Sequence, residues 1–438
     1  MINTPENILL LTVDALREDD SDPLRNAIPA SYDIITVDRC IATGSGTSTA
    51  FPGILTSTHP LEYGGYSGIG SDRVPLAEVL SDSGFETAGF HSNPLLSRKF
   101  GYNRGFDKFY DSVGSKRRLN RVLRDFLPSS IHRLIKEVYF RLTDYQQLPY
   151  DRADDINNRV LDWLNEVEEA WFCWAHYMDP HHPYKPPSKY TNVPEDDIDQ
   201  FWQQLNDDPN EIPDAEVETL RNLYRSEVSY LADSLSSLFE QLEQEGHLNE
   251  TLVVLTADHG EEFRDHGDLL HKPKLHRELV EVPLLFTGGC VTETKTIHGL
   301  FSALDIPATI IDSIGELPPD NWRGRPVREE ETRDACFTEL SHTSGEGGEV
   351  APERIKISYR TDDWTFIHDR QADTDRLYSR HSDPMEKEDV SSEHEGLLKD
   401  MREAVKIHLE DVVDRTTTGR QTKVDESVEE RLSDLGYR

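Results

Sequence analysis

Two acidic residues follow apolar segments at points where buried strands would end. Asp14 comes directly after Asn7–Val13. Asp258, with His259 beside it, comes directly after Thr251–Ala257. A carboxylate at a strand end often caps the following helix, so each motif alone is weak. If the two strands are neighbours in one sheet, the side chains meet at one edge, where carboxylate oxygens and an imidazole nitrogen suit one metal ion.

A glycine-rich loop with several hydroxyl side chains lies between these motifs. Residues 44–52 read GSGTSTAFP and continue into Ile54 and Leu55, which predicts a loop that enters a helix. At the first turn of a helix, backbone N–H groups and the dipole favour an anion. A hydroxyl there, beside a metal, could attack phosphorus or sulfur. Taken alone, the same residues are better explained as a helix cap.

Histidines are concentrated in two further segments. Residues 176–184 read HYMDPHHPY, and residues 265–272 read DHGDLLHK. Neither shows the HExxH or CxxC spacing of a zinc helix or knuckle. Surface histidines are the ordinary explanation, but histidines in loops that follow two strands also suit the binding of an anionic substrate.

The elements that must position these residues are short apolar runs separated by helical patterns. Strands are predicted over 7–13, 87–90, 171–176, 251–257 and 282–286, and helices over 75–83 and 214–245. Continuous hydrophobicity is typical of strands covered on both faces. The alternation predicts an α/β fold with a mostly parallel sheet, in which chemistry lies beyond the carboxyl ends of the strands.

The pattern becomes shorter and more polar after residue 325. We predict a catalytic domain over 1–325, a small C-terminal α+β subdomain over 326–412 and a polar tail over 413–438. The subdomain strands and helix are predicted over 336–340, 354–359, 364–368 and 393–410. A basic stretch over 116–141 lies in a predicted helical insert over about 113–150. A helical pair bound to the acidic body by salt bridges is preferred there over an anion-attracting lid or a surface that touches a polyanion or membrane.

Acidic residues dominate the rest of the composition. The 438 residues include 83 Asp and Glu against 46 Lys and Arg, a formal charge of −37. This charge disfavours binding to nucleic acid or to an anionic membrane, while 36% hydrophobic residues is enough to build a core. With 32 Arg against 14 Lys, the composition resembles that of halophilic archaeal proteins. Molar salt shortens the Debye length to about 3 Å, which screens such a surface.

Targeting signals are not recognisable in the sequence. No apolar run approaches the roughly 18 residues of a membrane helix, and the N-terminus lacks the basic start and cleavage site of a secretory signal. The four cysteines form no CxxC motif. We therefore expect no transmembrane segment and a cytoplasmic location.

The chemical motifs occur together, in one order, along nearly the whole chain. That order is NILLLTVDALRED, ILTSTHP, GFETAGFHSN, GFDKFYD, HYMDPHHPY, LVVLTADHGEEF, VPLLFTG, HGLFSALDIPATIIDSIG and RLYSRHSDPMEKEDV. It resembles the sulfatase branch of the alkaline phosphatase superfamily. The resemblance implies a mostly parallel sheet sandwiched by helices, with a small C-terminal subdomain.

The resemblance also assigns a metal site. Asp14, Asp258 and His259 match metal ligands of the family, and Thr47 matches the nucleophile, whose oxygen also contacts the metal. Oxygen-rich ligation with one histidine suits one divalent cation, Ca²⁺, Mg²⁺ or Mn²⁺. A second ion remains open.

Substrate contacts follow from the same comparison. His181 matches the substrate-binding histidine of the family. The family also carries a basic residue after the DHG motif, and either His271 or Lys272 matches that position in this chain. The predicted catalytic residues are therefore Thr47, His181, His271 and Lys272. Asn93, with His181 and Lys272, is a candidate for contact with substrate oxygens.

Three positions depart from the sulfatase pattern. Sulfatases usually carry Cys or Ser in C/S-x-P-x-R, oxidised to formylglycine, whereas Thr47 cannot form it and Phe51 stands at the Arg position. Ala15 replaces the second Asp of the usual pair. We therefore expect no formylglycine, and the chain resembles phosphotransferase and phosphodiesterase members that use an unmodified Thr.

Three functions remain open at this point. The preferred one is metal-dependent hydrolysis or transfer of phosphate, or sulfate, esters through Thr47. The second is a true sulfuric ester hydrolase that acts without formylglycine, and the third is a non-catalytic relative that binds a glycan or anion. The expected partner is a small anionic ester, which could be linked to a glycan.

Overall fold

The structure is a computed structural model of the chain. It describes residues 2–112, 148, 150–207, 212–328, 331–341 and 350–414. The predicted basic insert lies almost entirely outside the described residues, and so does the predicted polar tail beyond residue 414.

Fourteen strands and nine α-helices are found in the described residues. The strands are β1 (Asn7–Val13), β2 (Ile35–Ile41), β3 (Glu86–Phe90), β4 (Lys108–Tyr110), β5 (Trp171–Tyr177), β6 (Thr251–Ala257), β7 (Glu262–Phe263), β8 (Leu269–Leu270), β9 (Glu281–Thr287), β10 (Lys295–Ser302), β11 (Cys336–Ser341), β12 (Ile355–Arg360), β13 (Trp364–Asp369) and β14 (Thr374–Ser379). The helices are α1 (Asp22–Asn26), α2 (Thr47–Thr56), α3 (Leu76–Asp82), α4 (Ala153–Leu164), α5 (Glu195–Asp207), α6 (Asp214–Gln244), α7 (Arg277–Val280), α8 (Asp305–Ser313) and α9 (Glu395–Asp414).

Eight strands form the large sheet, in the order β10-β2-β9-β6-β1-β5-β3-β4. Strand β9 is antiparallel to both of its neighbours, and the other pairs are parallel. The central strands β1, β5 and β6 are buried along nearly their whole length, because helices cover both faces of the sheet. The predicted α/β class with a mostly parallel sheet is therefore confirmed.

The register of the central strands sets the position of the acidic motifs. Val13 at the end of β1 pairs with Tyr177 of β5 on one side and Ala257 of β6 on the other. The next residues, Asp14 and Asp258, therefore leave the sheet at the same edge.

The helices and the second sheet complete the body. Helix α6, predicted over 214–245, contacts α1 and α4 and buries one face that includes Leu220, Leu231 and Leu238. The C-terminal sheet is antiparallel in the order β11-β12-β13-β14, and α9 packs on it through Leu398, Met401 and Val405. None of the described helices has the length and apolar composition required to span a membrane.

The strand predictions missed β2, β4, β7, β8, β10 and β14. Strand β2 carries Asp38 and Arg39 in its middle, where a register shift interrupts its pairing with β9 and β10. The charged pair breaks the apolar run by which buried strands are recognised. The C-terminal helix was predicted over 393–410 but extends to Asp414.

Candidate active site

Two carboxylates and one imidazole converge at the carboxyl end of the large sheet. Asp14 follows β1, and Asp258 and His259 follow β6, and all three are fully buried. One ligand atom from each lies within 4.8 Å of the other two. Among the described residues, no hydrogen-bond partner is found for Asp14 Oδ1, Asp258 Oδ2 or His259 Nε2. Buried polar atoms are rarely left in this state, and this donor set fits a divalent cation.

Local backbone geometry aims these atoms at one point. The backbone N–H groups of Ala15 and His259 donate to Asp258 Oδ1, at 3.2 and 2.8 Å, which leaves Oδ2 facing the cluster. His259 Nδ1 lies 2.8 Å from the carbonyl oxygen of Gly260, so its Nε2 is turned toward Asp14 Oδ1 at 3.5 Å. Gly260 is required there, because a Cβ would collide with the carbonyl oxygen of Glu278.

Two side chains contact Asp14 Oδ2 and fix the orientation of the carboxylate. Asn93 Nδ2 donates to Asp14 Oδ2 at 2.8 Å, and His176 Nε2 lies 3.4 Å from the same oxygen. His176 is in turn fixed by Thr12, whose Oγ1 lies 3.0 Å from its Nδ1. Outer partners of this kind orient metal ligands. Asn93, predicted as a substrate contact, therefore lies against a predicted metal ligand.

The two buried carboxylates of this cluster place negative charges close to each other. Burial raises the pKa of Asp14, but His181, His176 and His259 together lower it well below its ordinary value. Burial and the charge of Asp14 raise the pKa of Asp258. Two carboxylates this close repel each other, and a divalent cation would remove that repulsion.

Thr47 begins helix α2, beside the same edge. The loop that follows β2 ends at Gly46, the N-cap residue, and Thr47 is buried. Phe51, one turn later and on the same side of the helix, packs edge-on against His176 with ring centres 5.1 Å apart. His176 also lies 3.4 Å from Asp14 Oδ2, so α2 packs against a side chain that contacts a predicted metal ligand. The dipole at the N-terminus of α2 favours an anionic group.

Three histidines form a second cluster next to the first. His181, His182 and His271 have nitrogen atoms within 4.8 Å of one another. The His271 ring centre lies 4.7 Å from that of His259, so the two clusters share a boundary. Glu261, also buried, lies 3.2 Å from His271 Nδ1 and accepts a hydrogen bond from Tyr184 Oη at 2.7 Å.

Burial disfavours the protonated form of two histidines in this cluster. Burial and His182 lower the pKa of His181 well below its ordinary value. Burial lowers the pKa of His271, although Glu261 opposes the shift. A bound anion in this pocket would favour the protonated form of His181 and His271, which burial opposes.

The large sheet and the two clusters can now be compared with known proteins. Residues 6–316 match the family model described as Sulfatase, which is more than half of the chain. The chain belongs to the sulfatase family. Among curated relatives, it is 27% identical over 157 residues to the low-salt glycan biosynthesis sulfotransferase Agl7 of Haloferax volcanii, covering 35% of each chain. It is 28% identical over 118 residues to the multifunctional alkaline phosphatase superfamily protein PehA of Trinickia caryophylli, covering 26% of this chain and 23% of PehA.

Solved sulfatase-like structures share the fold across the whole body. The phosphonate monoester hydrolase of Agrobacterium radiobacter superposes with a TM-score of 0.71 at 18% identity, covering 93% of this chain and 95% of that one. The phosphonate monoester hydrolase SpPMH from Silicibacter pomeroyi gives 0.70 at 17% identity, covering 94% and 96%. In sequence, by contrast, this sulfatase-family chain spans about a third of Agl7 and about a quarter of PehA.

The structure separates the two basic residues left open by the sulfatase motif. His271 lies in the histidine cluster, whereas the Lys272 side chain is exposed. Sequence reasoning missed the positions of His176 and Glu261. His176 could have been found from register, since it pairs with Thr12, two residues before Asp14, in the neighbouring strand. Glu261 gave no signal beyond its place after the Asp258-His259-Gly260 turn.

Proposed function

We propose that this chain is a metal-dependent enzyme that moves a phosphate or sulfate group from an ester onto Thr47 and then to water or an acceptor alcohol. The observation that carries the proposal is the buried cluster of Asp14, Asp258 and His259, whose facing atoms lack hydrogen bonds within the described chain. Such an arrangement is costly to fold unless a cation completes it.

The metal ligands proposed are Asp14, Asp258 and His259, with the hydroxyl of Thr47 as a fourth. A bound divalent cation would supply Lewis acidity, lowering the pKa of a hydroxyl and stabilising negative charge on the oxygens of the ester. Hard oxygen ligands favour Ca²⁺, Mg²⁺ or Mn²⁺.

Thr47 Oγ is the proposed nucleophile. Thr47 loses its hydroxyl proton as its oxygen forms a bond to phosphorus or sulfur. The bond to the leaving-group oxygen breaks, and that oxygen takes up a proton, so no net proton is gained or lost. The N-terminus of α2 stabilises the negative charge of the group held on Thr47. A threonine ester cannot collapse to an aldehyde as a formylglycine hydrate does, so a second displacement by water or an alcohol must release the group.

His181 and His271 are the proposed donors to the substrate. His181 Nδ1 lies 2.5 Å from the carbonyl oxygen of His182, which fixes the ring. His271 Nδ1 faces the buried carboxylate of Glu261, which favours the protonated ring. Burial opposes protonation, and a bound anionic ester would offset that cost. Cationic histidines beside developing negative charge stabilise a transition state. Lys272 is proposed only as a peripheral contact.

Two observations bear on the group transferred. PehA is a multifunctional alkaline phosphatase superfamily protein, and an unmodified Thr is the nucleophile expected of the phosphotransferases and phosphodiesterases the chain resembles. Agl7 is a glycan biosynthesis sulfotransferase, which makes sulfate transfer to a glycan alcohol the second candidate. A purely binding role is disfavoured, because the chain keeps both a metal set and a nucleophile.

We further propose that the enzyme works in the salty cytoplasm of a halophile. The formal charge of −37 and the similarity to a Haloferax relative support this. Thermal unfolding and activity should both improve from dilute buffer to molar KCl. Full activity and stability without salt would contradict the halophilic interpretation.

A turnover panel tests the function. Aryl phosphate, aryl phosphodiester and aryl sulfate are compared in molar KCl with each divalent cation, for the wild type, Thr47→Ala and the matched control Ser48→Ala. We expect phosphoryl transfer by the wild type and by Ser48→Ala, and none by Thr47→Ala. If aryl sulfate is preferred and Thr47→Ala keeps its rate, both the substrate class and the nucleophile are wrong. Adding an acceptor alcohol separates transfer from hydrolysis by product analysis.

A further inference from the structure

A third buried cluster lies away from the catalytic edge, where the C-terminal subdomain meets the main body. His59 follows the end of helix α2, Glu339 lies on β11, and His408 lies on α9. The three residues are largely buried, at 8, 0 and 9% exposure. One nitrogen or oxygen atom from each lies within 4.8 Å of the other two.

We propose that His59, Glu339 and His408 bind a structural Zn²⁺ ion that fastens β11 and helix α9 to the end of helix α2. Two imidazoles and one carboxylate form a set that zinc takes readily, with a water molecule completing the tetrahedron. No step of the proposed catalysis uses these residues.

The spacing of the ligand atoms fits zinc. His59 Nδ1 lies 3.4 Å from Glu339 Oε1. Tetrahedral ligands at about 2.0–2.1 Å from zinc stand about 3.3–3.4 Å apart, so this edge needs no adjustment. His408 Nε2 makes a short hydrogen bond to Glu339 Oε1 and would move outward when a cation replaces the proton between them.

Each ligand is already held in place by other groups. Arg73 donates to four carbonyl oxygens of the loop that carries His59, at 2.7–3.2 Å. Glu339 Oε2 accepts a hydrogen bond from the backbone of Leu61 at 3.1 Å. His408 stacks on Phe337 with ring centres 3.8 Å apart. Preorganised ligands reduce the cost of forming a metal site.

One atom in the cluster has no other function in the described structure. No hydrogen-bond partner is found for His59 Nδ1 among the described residues, although the atom is buried. The atom lies 3.4 Å from Glu339 Oε1, so a cation held between the two would give it a partner.

Nearby positive charges do not oppose a cation strongly, because they are already paired. Arg323 binds Glu62 and Asp411, each at 2.7 Å. Arg333 donates to Asp305 at 2.8 Å. The competing explanation is a hydrogen-bonded His–Glu–His group with no metal, in which Glu339 alone joins the two histidines.

Cobalt distinguishes these explanations, because tetrahedral Co²⁺ in a zinc site absorbs visible light. The full chain carrying Asp14→Asn and Asp258→Asn is titrated with Co²⁺ in molar KCl, so that the catalytic site does not contribute. We expect one bound ion with a tetrahedral spectrum. His59→Gln and His408→Gln should each abolish it, while the exposed-residue control His298→Gln should leave it unchanged.

Two outcomes would overturn the proposal. One is the absence of any tetrahedral spectrum, and the other is loss of the spectrum in His271→Gln instead, which would place the ion in the histidine cluster. If the His59 and His408 variants fail to fold, X-ray absorption of the cobalt form of the Asp14→Asn, Asp258→Asn chain decides the same question. Two imidazoles and one carboxylate are expected, whereas three imidazoles would refute the site.

Thermal unfolding supplies an independent measurement. Zn²⁺ at 100 times its dissociation constant should raise the melting temperature of the Asp14→Asn, Asp258→Asn chain by at least about 2 °C, since ligands of the folded state stabilise it. The rise should vanish in Glu339→Gln, which keeps the shape and the bond to Leu61 but removes the charge. An equal rise in that variant would contradict the assignment.

Discussion

Buried carboxylates occur in two regions that treat them in opposite ways. At the catalytic edge, Asp14 and Asp258 each keep one oxygen without a hydrogen bond among the described residues. In the loop after β14, Glu386 is equally buried, but Arg360 Nη2, His276 Nδ1 and the backbone of Arg277 surround it at 3.0–3.3 Å. All three carboxylates are buried, so burial alone does not explain why only Glu386 is surrounded by donors.

The difference in hydrogen-bond partners distinguishes Glu386, a carboxylate that stabilises the fold, from Asp258, a carboxylate proposed to bind a metal. Burial raises the pKa of Glu386, but Arg360 and His276 lower it well below its ordinary value, so the folded chain stabilises the charged form by itself. Asp258 has the opposite shift, because burial and Asp14 both oppose its charge. A carboxylate whose cost of burial is left uncompensated marks a place where a ligand completes the structure.

Asp258→Asn should produce the largest effect and tests the catalytic side. It removes a ligand, so we expect kcat/KM to fall by at least about 10³-fold and bound divalent metal to be lost. In metal-free protein the same change removes repulsion from Asp14 and should raise the free energy of unfolding by about 1–2 kcal/mol. Metal analysis, steady-state kinetics and denaturant unfolding measure the three quantities.

The partly exposed Asp268 supplies the matched control for Asp258. Asp268→Asn should leave metal content and kcat/KM near the wild-type values. If metal-free Asp258→Asn is instead less stable than the wild type, Asp258 is a structural group like Glu386 and the contrast between the regions fails.

His271→Gln probes the histidine half of the same site. We expect kcat to fall by about 10²-fold, since a donor to the transferred group is lost, while divalent metal stays bound. Lys272→Ala is the control, because that side chain is exposed, and its kcat should change less than about threefold. A larger loss with Lys272→Ala than with His271→Gln would reverse the assignment of the basic residue.

Glu386→Gln tests the structural side. Arg360 is completely buried and would lose its charge partner, which typically costs about 3–5 kcal/mol when one member of a buried pair is removed. Activity per folded molecule should persist, unlike in Asp258→Asn. The exposed neighbour Glu388→Gln should unfold like the wild type. Unchanged stability of Glu386→Gln in denaturant would show that the carboxylate is not stabilising.

The sequence predicted the strand-end motifs better than it predicted their partners. The apolar segments of β1 and β6 predict buried parallel strands, and parallel strands bring their carboxyl ends to one edge of the sheet. This is why the sequence could place Asp14 near Asp258 and His259. Glu386 and the His59 cluster could not be predicted. Arg360, His276 and Arg277 lie 26 to 110 residues from Glu386, and His408 lies 69 residues from Glu339. These contacts depend on the docking of the second sheet, whose position no local pattern encodes.

Acid sensitivity is the smallest expected effect and follows from the sign of the Glu386 shift. The pKa of Glu386 is lower in the folded state than its unfolded value of about 4.5. The charged carboxylate therefore contributes its full stabilisation of the folded state above about pH 4.5. Below that pH the contribution declines, because the unfolded chain takes up a proton there and the folded chain does not. The difference in unfolding free energy between the wild type and Glu386→Gln should therefore be constant from pH 8 to about 5. It should then shrink by at most about 1.4 kcal/mol per pH unit toward pH 3. Urea unfolding across that range measures it. A difference that grows with acid would mean that the carboxyl group is protonated in the folded chain, and Glu386 would then resemble Asp258 after all.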